Sequence, residues 1–121
     1  MVKGKGSAKI PFILYQPGKV EGGLVIDEAL SCVDFFPTIT SLLEIEHDVA
    51  VEGRDASPLF FGEMPDDWND IAFIRATSGG TWLAAVTDDY KLVFSKEDTP
   101  WLFDLSIDPE ELTNRVDDPA Y

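Results

Sequence analysis

Four short apolar runs, spaced by turn-forming residues, fill the stretch from Ile71 to Leu105 and limit what the second half of this chain can become. They are Ile71–Arg75, Thr81–Val86, Tyr90–Phe94 and Trp101–Leu105, separated by Ser78-Gly79-Gly80, Thr87-Asp88-Asp89 and the segment from Ser95 to Pro100. Each run is of strand length, and turn clusters bound it on both sides. That spacing predicts an antiparallel meander, with each strand paired to the next.

The first half reads differently. Ile10-Pro11-Phe12-Ile13-Leu14-Tyr15 is a continuous apolar run ended by the turn Gln16-Pro17-Gly18, which suits a buried strand with Pro11 near its start. Leu24-Val25-Ile26 is a second short apolar piece. Ser31 to Glu44 carries the strongest helix pattern: Phe35, Phe36, Ile39, Leu42 and Leu43 fall at helical spacing and predict one core-facing stripe. Asp34 is placed to cap its first turn, and Pro37 falls where a missing N–H is no loss. Gly53-Arg54-Asp55 starts a turn that leads into one helical turn, Ser57 to Phe61, with Pro58 at its start. Gly62 to Asp70 is an acidic loop, and Pro109 to Leu112 suggests one more helical turn in the tail. One strand and one helix cannot close a core. They need a further sheet to pack on, and within the chain only the meander is on offer.

With 121 residues, one domain is the expectation. The net charge is −14, and from residue 20 onward 23 acids face 5 bases. Such a surface repels phosphate backbones and anionic lipid, so neither a nucleic acid nor a membrane is an expected partner. No apolar stretch approaches membrane-spanning length, and the N-terminal residues do not resemble a signal peptide. Cys32 is the single cysteine, so no internal disulfide can form.

Groupings that carry chemistry are nearly missing. His47, the one histidine, lies in the polar stretch Glu44-Ile45-Glu46-His47-Asp48. Cys32, just ahead of the helix, reads as a small buried apolar side chain and not as a nucleophile. Three acidic groups stand out: Asp66, Asp67 and Asp70; Asp104, Asp108, Glu110 and Glu111; Asp117 and Asp118. None has the ligand spacing of a calcium loop, and solvated turns account for them. Trp82 and Trp101 in the meander are candidates for stacking on sugar rings, against the plainer role of filling the sheet's core.

Several pieces, in order, resemble the type-I sulfatases of the alkaline-phosphatase superfamily. Gly4-Lys5-Gly6-Ser7 is similar to that family's Gly-Lys-Gly-Ser/Thr loop. Lys9 to Leu14 with Pro17-Gly18-Lys19 is similar to its Arg-Val-Pro strand and Pro-Gly-Lys turn. Val33-Asp34-Phe35-Phe36-Pro37-Thr38 matches a helix start, Val-Asp-x-x-Pro-Thr. Gly53-Arg54-Asp55 with Pro58-Leu59 resembles a Gly-Arg-Ser-Leu-x-Pro-Leu segment. Tyr90-Lys91-Leu92, Leu102-Phe103-Asp104-Leu105 and Asp108-Pro109-Glu110 with Asn114 resemble its closing signature.

The resemblance implies an α+β chain. A strand–helix piece at the end of an alkaline-phosphatase-like α/β core (residues 1–61) is joined by an acidic loop (62–70) to a small four-stranded antiparallel subdomain (71–121). It also implies a C-terminal fragment that forms scaffold and cleft wall and is inactive alone. The parent enzyme would hydrolyse a sulfate-ester substrate with formylglycine and calcium. Its partner would be the N-terminal sulfatase core, which this sequence lacks. Cys32 is followed by Val-Asp and not by the x-Pro-Ser-Arg of a formylglycine site, so no catalytic residue or metal ligand carries over. Lys5 is the one residue that the resemblance assigns to substrate, as an ammonium facing the sulfate. Ala8 runs straight into Lys9, however, where the family has an aromatic-Glu-Gly-Gly stretch. The alternatives are a fragment of a related phosphodiesterase or phosphonate hydrolase, and a standalone glycan-binding module.

Overall fold

The computed structural model describes residues 9–75 and 81–121. Lys5 and the glycine-rich loop around it lie outside the described residues, as does the turn at Ser78-Gly79-Gly80. The chain divides into two compact units, one of residues 13–70 and one of residues 1–12 with 71–121.

In the 13–70 unit a 3-10 turn, Cys32–Asp34, runs directly into helix α1, Phe35–Leu42. The helix ends where Glu44 takes a left-handed φ of 56° and Ile45 N–H donates back to the Thr40 carbonyl at 2.8 Å. A second 3-10 turn, Ser57–Phe61, begins with Pro58 in its first positions and ends at Gly62, whose φ of 74° is glycine's natural territory. Leu42, Ala56, Leu59 and Phe60 form the buried core, with Leu14, Val20, Ile26, Leu30, Ile39 and Trp68 packed against it.

The helix does not bury the stripe that its spacing predicts. Ile39 and Leu42 turn inward, but Phe35, Phe36 and Leu43 are 44%, 47% and 56% exposed, while Thr38 and Thr40 are buried. Burying threonine is tolerable because both hydroxyls are satisfied. Thr38 Oγ1 accepts from the Ala56 N–H at 2.9 Å, and Thr40 Oγ1 donates to the Phe36 and Pro37 carbonyls at 2.8 and 3.0 Å. Helical spacing marks an apolar stripe but does not say what stands opposite it. Here the opposing segment is 53–60, and it meets the helix on its threonine side. Ile10–Tyr15 departs from expectation too. It forms no strand, and Ile10, Ile13 and Tyr15 are exposed. A run of β-type residues becomes a strand only when another backbone bonds to it.

The second unit holds the meander as the sequence predicts it. Strands β1 (Ala72–Arg75), β2 (Trp82–Val86), β3 (Tyr90–Ser95) and β4 (Trp101–Asp104) pair antiparallel in that order. One cross-strand row is Ala72, Val86, Lys91 and Phe103; another is Ile74, Ala84, Val93 and Trp101. Both rows lie on one face by strand alternation, and that face contains the buried Ala72, Ala84, Lys91, Val93 and Phe103. The opposite face leaves Phe73, Leu83 and Phe94 exposed.

The tail does not form the expected helical turn at Pro109–Leu112. Asp108 Oδ2 takes the N–H groups of Leu112 and Thr113 at 2.9 and 2.7 Å, and Glu111 goes left-handed at φ 58°. A side chain that claims these amides competes with the helical bonds they would otherwise make. No helix among the described residues is long and apolar enough to cross a membrane.

Candidate functional site

Two of the sequence motifs meet in the 13–70 unit. Between Glu21 and Ile74 Arg54 is the only lysine or arginine, and thirteen acids share that stretch with it, Glu21 included. Its guanidinium finds the most buried of them. Arg54 Nη2 lies 3.0 Å from Asp34 Oδ2 and also donates to the Ala29 carbonyl at 3.0 Å. Nη1 donates to the Asn69 carbonyl, and the guanidinium stacks over Trp68 with its carbon 4.3 Å from the ring centroid. Asp34 is saturated in return. Its Oδ1 accepts from the Arg54 N–H and its Oδ2 from the Ser31 N–H, both at 2.8 Å.

Asp34 therefore does not cap α1 with its carboxylate, as the sequence suggests. It has helical φ and ψ of −76° and −15°, and its oxygens serve Ser31 and Arg54 instead. Burial works to raise the Asp34 pKa. The hydrogen bonds from Arg54 and Ser31 and the charge of Arg54 outweigh it, holding the carboxyl below its usual 3.8.

Gly53 is required beside this pair. A Cβ there would sit 1.9 Å from the Val33 carbonyl oxygen and 2.8 Å from the Asp34 nitrogen. The Val33-Asp34 and Gly53-Arg54 motifs are thus two halves of one joint: glycine lets the backbones touch, and arginine ties them.

The closing signature forms a second cluster, in the sheet unit. Lys91 Nζ pairs with Glu111 Oε2 at 2.6 Å, with both side chains buried. Asp104 accepts at Oδ1 from the Ser106 hydroxyl at 2.5 Å and at Oδ2 from the Tyr121 hydroxyl at 2.6 Å. The bonds from Ser106 and Tyr121 hold the Asp104 carboxyl below its usual value, and the bond to Asp104 holds the Tyr121 hydroxyl above its own. Asn114 Oδ1 accepts from Leu102 N–H at 2.8 Å, while its Nδ2 donates to the Pro100 carbonyl at 3.2 Å. Lys91, Asp104, Asp108 and Asn114 are all signature residues; Lys91, Asp104 and Asn114 fasten the tail to the sheet, and Asp108 ties the tail to itself.

The sequence candidates for chemistry are not brought together. Cys32, in the 3-10 turn ahead of α1, is exposed and not buried as expected. His47 stands edge-on to Phe36, ring centroids 4.9 Å apart, on an open depression of about 510 Å³ that Ser41, Glu46 and Asp55 also line. The acidic groups serve backbone amides: Asp70 Oδ1 takes the Ala29 N–H at 2.6 Å, and Asp118 Oδ1 takes that of Ala120 at 3.1 Å. Among the described residues no three His, Cys, Asp or Glu side chains gather as metal ligands. Trp82 and Trp101 are only partly exposed and share the sheet face that buries Val93.

Sequence reasoning picked out these motifs but missed what they do. A lone arginine in a stretch of thirteen acids was the signal that could have found the Asp34–Arg54 joint.

Comparison with known proteins agrees with the motifs. The family described as "N-sulphoglucosamine sulphohydrolase, C-terminal" matches residues 3–121. An arylsulfatase of Clostridium perfringens is 33% identical over 122 residues, covering 97% of this chain and 25% of that protein. The chain thus spans about a quarter of the length of this curated relative. Among solved structures, the phosphonate monoester hydrolase of Agrobacterium radiobacter is 28% identical with a TM-score of 0.52, over 73% of this chain and 21% of that one. BT4656, solved with its substrate D-glucosamine-2-N,6-O-disulfate, is similar in fold, with a TM-score of 0.62 at 23% identity over 73% of this chain and 20% of that one. Motifs, fold and family match agree, and this chain belongs to the sulfatase C-terminal family named for N-sulphoglucosamine sulphohydrolase.

Proposed function

We propose that this chain is the C-terminal part of a sulfatase, that it forms scaffold and cleft wall for a catalytic core, and that it hydrolyses nothing alone. The observation that carries this reading is the surface of the 13–70 unit. Ile13, Tyr15, Val25, Val33, Phe35, Phe36 and Leu43 are all exposed there. So much apolar area in so small a unit marks an interface. A catalytic core about three times this chain's length, as in the relative, is the occupant that suits it. Calcium and formylglycine belong to that core, and a sulfate ester is its substrate. Lys5 is proposed to face the sulfate from this chain.

The purified chain is expected to give no turnover of 4-nitrophenyl sulfate, with or without calcium. Stoichiometric, saturable hydrolysis by the chain alone would overturn the proposal. A second reading, a phosphonate-ester hydrolase, draws on the likeness to the Agrobacterium enzyme. In a polypeptide that joins this chain to its catalytic core, preference for 4-nitrophenyl sulfate over a phenylphosphonate ester supports the first reading. The reverse preference supports the second.

A further inference from the structure

Residues 45–52 carry the alternation of a strand outside any strand. Ile45, Val49 and Val51, with His47 among them, fall at every second position. Glu46, Asp48 and Glu52 take the positions between and after, where Ala50 is the exception. In an extended backbone that order puts the apolar side chains on one side and the acids on the other. The segment belongs to no helix or strand, and every residue in it is exposed.

Both ends of the segment are fixed. Ile45 N–H donates to the Thr40 carbonyl at 2.8 Å, and just past Glu52 the Arg54 N–H donates to Asp34 Oδ1 at 2.8 Å. From Glu46 to Glu52 no backbone group pairs with another backbone group among the described residues. Unpaired backbone beside alternating side chains is what strand addition uses. Main-chain bonds hold the added strand, and side chains at alternate positions select it.

Charge selects the occupant. A second copy of this segment would set carboxylates against carboxylates, which opposes pairing. The segment has no lysine or arginine of its own, and Arg54, the nearest, is committed to Asp34. A strand with basic residues at alternate positions would meet Glu46, Asp48 and Glu52 with opposite charge, and its apolar residues would meet Ile45, Val49 and Val51.

We infer that residues 45–52 are a docking strip on which a partner polypeptide adds one extended strand of alternating basic and apolar residues. The strip would serve in this way whether or not a catalytic core is joined to the chain.

The test uses the whole chain and, as probe, a capped hexapeptide of alternating lysine and valine. One control is the same peptide with every backbone nitrogen methylated, which keeps the charges but offers no N–H to pair. The other is a peptide of alternating glutamate and valine. NMR titration reads where each peptide binds, and hydrogen exchange reads which amides become paired. The lysine–valine peptide is expected to bind saturably and to move the resonances of residues 45–52. It should slow exchange at alternate amides among them about tenfold, the scale of one gained hydrogen bond. Both control peptides should leave the strip unchanged. Glu46→Gln, Asp48→Asn and Glu52→Gln together should weaken binding roughly tenfold, through three lost cross-strand charge pairs. All three side chains are exposed, so this variant is expected to fold as wild type. Absence of binding, or resonance changes spread over the other acidic segments, would overturn the inference. So would equal binding of the methylated peptide, or a triple variant that binds as tightly as wild type.

Discussion

The two units solve the same problem, a chain too small to hide all its apolar surface, in different ways. The sheet unit spends its motif residues on closure: Lys91, Asp104 and Asn114 bind its own tail to its own strands, and Asp108 orders that tail. The 13–70 unit spends its motif residues on one joint, Asp34 with Gly53-Arg54, and leaves Phe35 and Phe36 close to half exposed. Matching a family signature therefore means different things in the two places. In the sheet it marks a tail tied back onto its own strands, although Phe73, Leu83 and Phe94 stay exposed on the other face. In the helix piece it marks a joint set beside exposed apolar side chains, the surface on which the proposed role rests.

The largest effect is expected at the joint. Gly53→Ala forces a methyl group onto the Val33 carbonyl and should cost about 4 kcal/mol, read as loss of cooperative thermal unfolding in the 13–70 unit. Asp34→Ala removes three bonds and strands a partly buried guanidinium, at about 3 kcal/mol by denaturant melt. The matching change in the sheet is Glu111→Ala, also expected near 3 kcal/mol because it removes the carboxylate from a buried ion pair. The double change Lys91→Met with Glu111→Leu should return to within about 1 kcal/mol of wild type, since the pair's worth lies mostly in not being broken. If the double change stays as costly as the single one, the pair holds the tail by more than charge compensation.

Acidity separates the units. Asp34 and Asp104 both have pKa values held below the usual 3.8, so their contribution is full above that value and is lost as pH falls through the lower folded values. Tyr121 is raised above its usual 10.0, so its contribution holds below that pH and is lost as pH rises through the folded value. The sheet unit should therefore loosen at both extremes and the Asp34–Arg54 joint only in acid, a contrast that residue-resolved hydrogen exchange against pH can check.

Smaller effects sharpen the same contrast. Thr38→Val keeps the helix shape but leaves the Ala56 N–H unpaired and should cost about 1.5 kcal/mol. Phe36→Ser should change the stability of the chain by no more than about 0.5 kcal/mol, because half of that ring is already in water.

Much of this architecture was legible in the sequence, and the limits have physical causes. The four strands and the Pro58 turn could be read because turn residues bracket each run and the information is local. The helix could be read as an element but not for its buried face, because Thr38 and Thr40 go inside only through bonds to distant backbone and to their own turn. Ile10–Tyr15 was over-read: its residue types suit a strand, but pairing is a property of neighbours. The Asp34–Arg54 joint and the Asn114–Leu102 bond are long-range polar contacts between residues 20 and 12 positions apart, which no local periodicity encodes.

The proposed role requires the 13–70 unit to present its apolar surface to another part of a larger enzyme. Carbene footprinting of the isolated chain, kept dilute and read residue by residue, tests it most directly. Heavy labelling of Ile13, Tyr15, Phe35 and Phe36, beside protected Leu42 and Phe60, is the expected result. Phe35 and Phe36 labelled as weakly as Leu42 would contradict it, because the surface would then already be used within the chain itself.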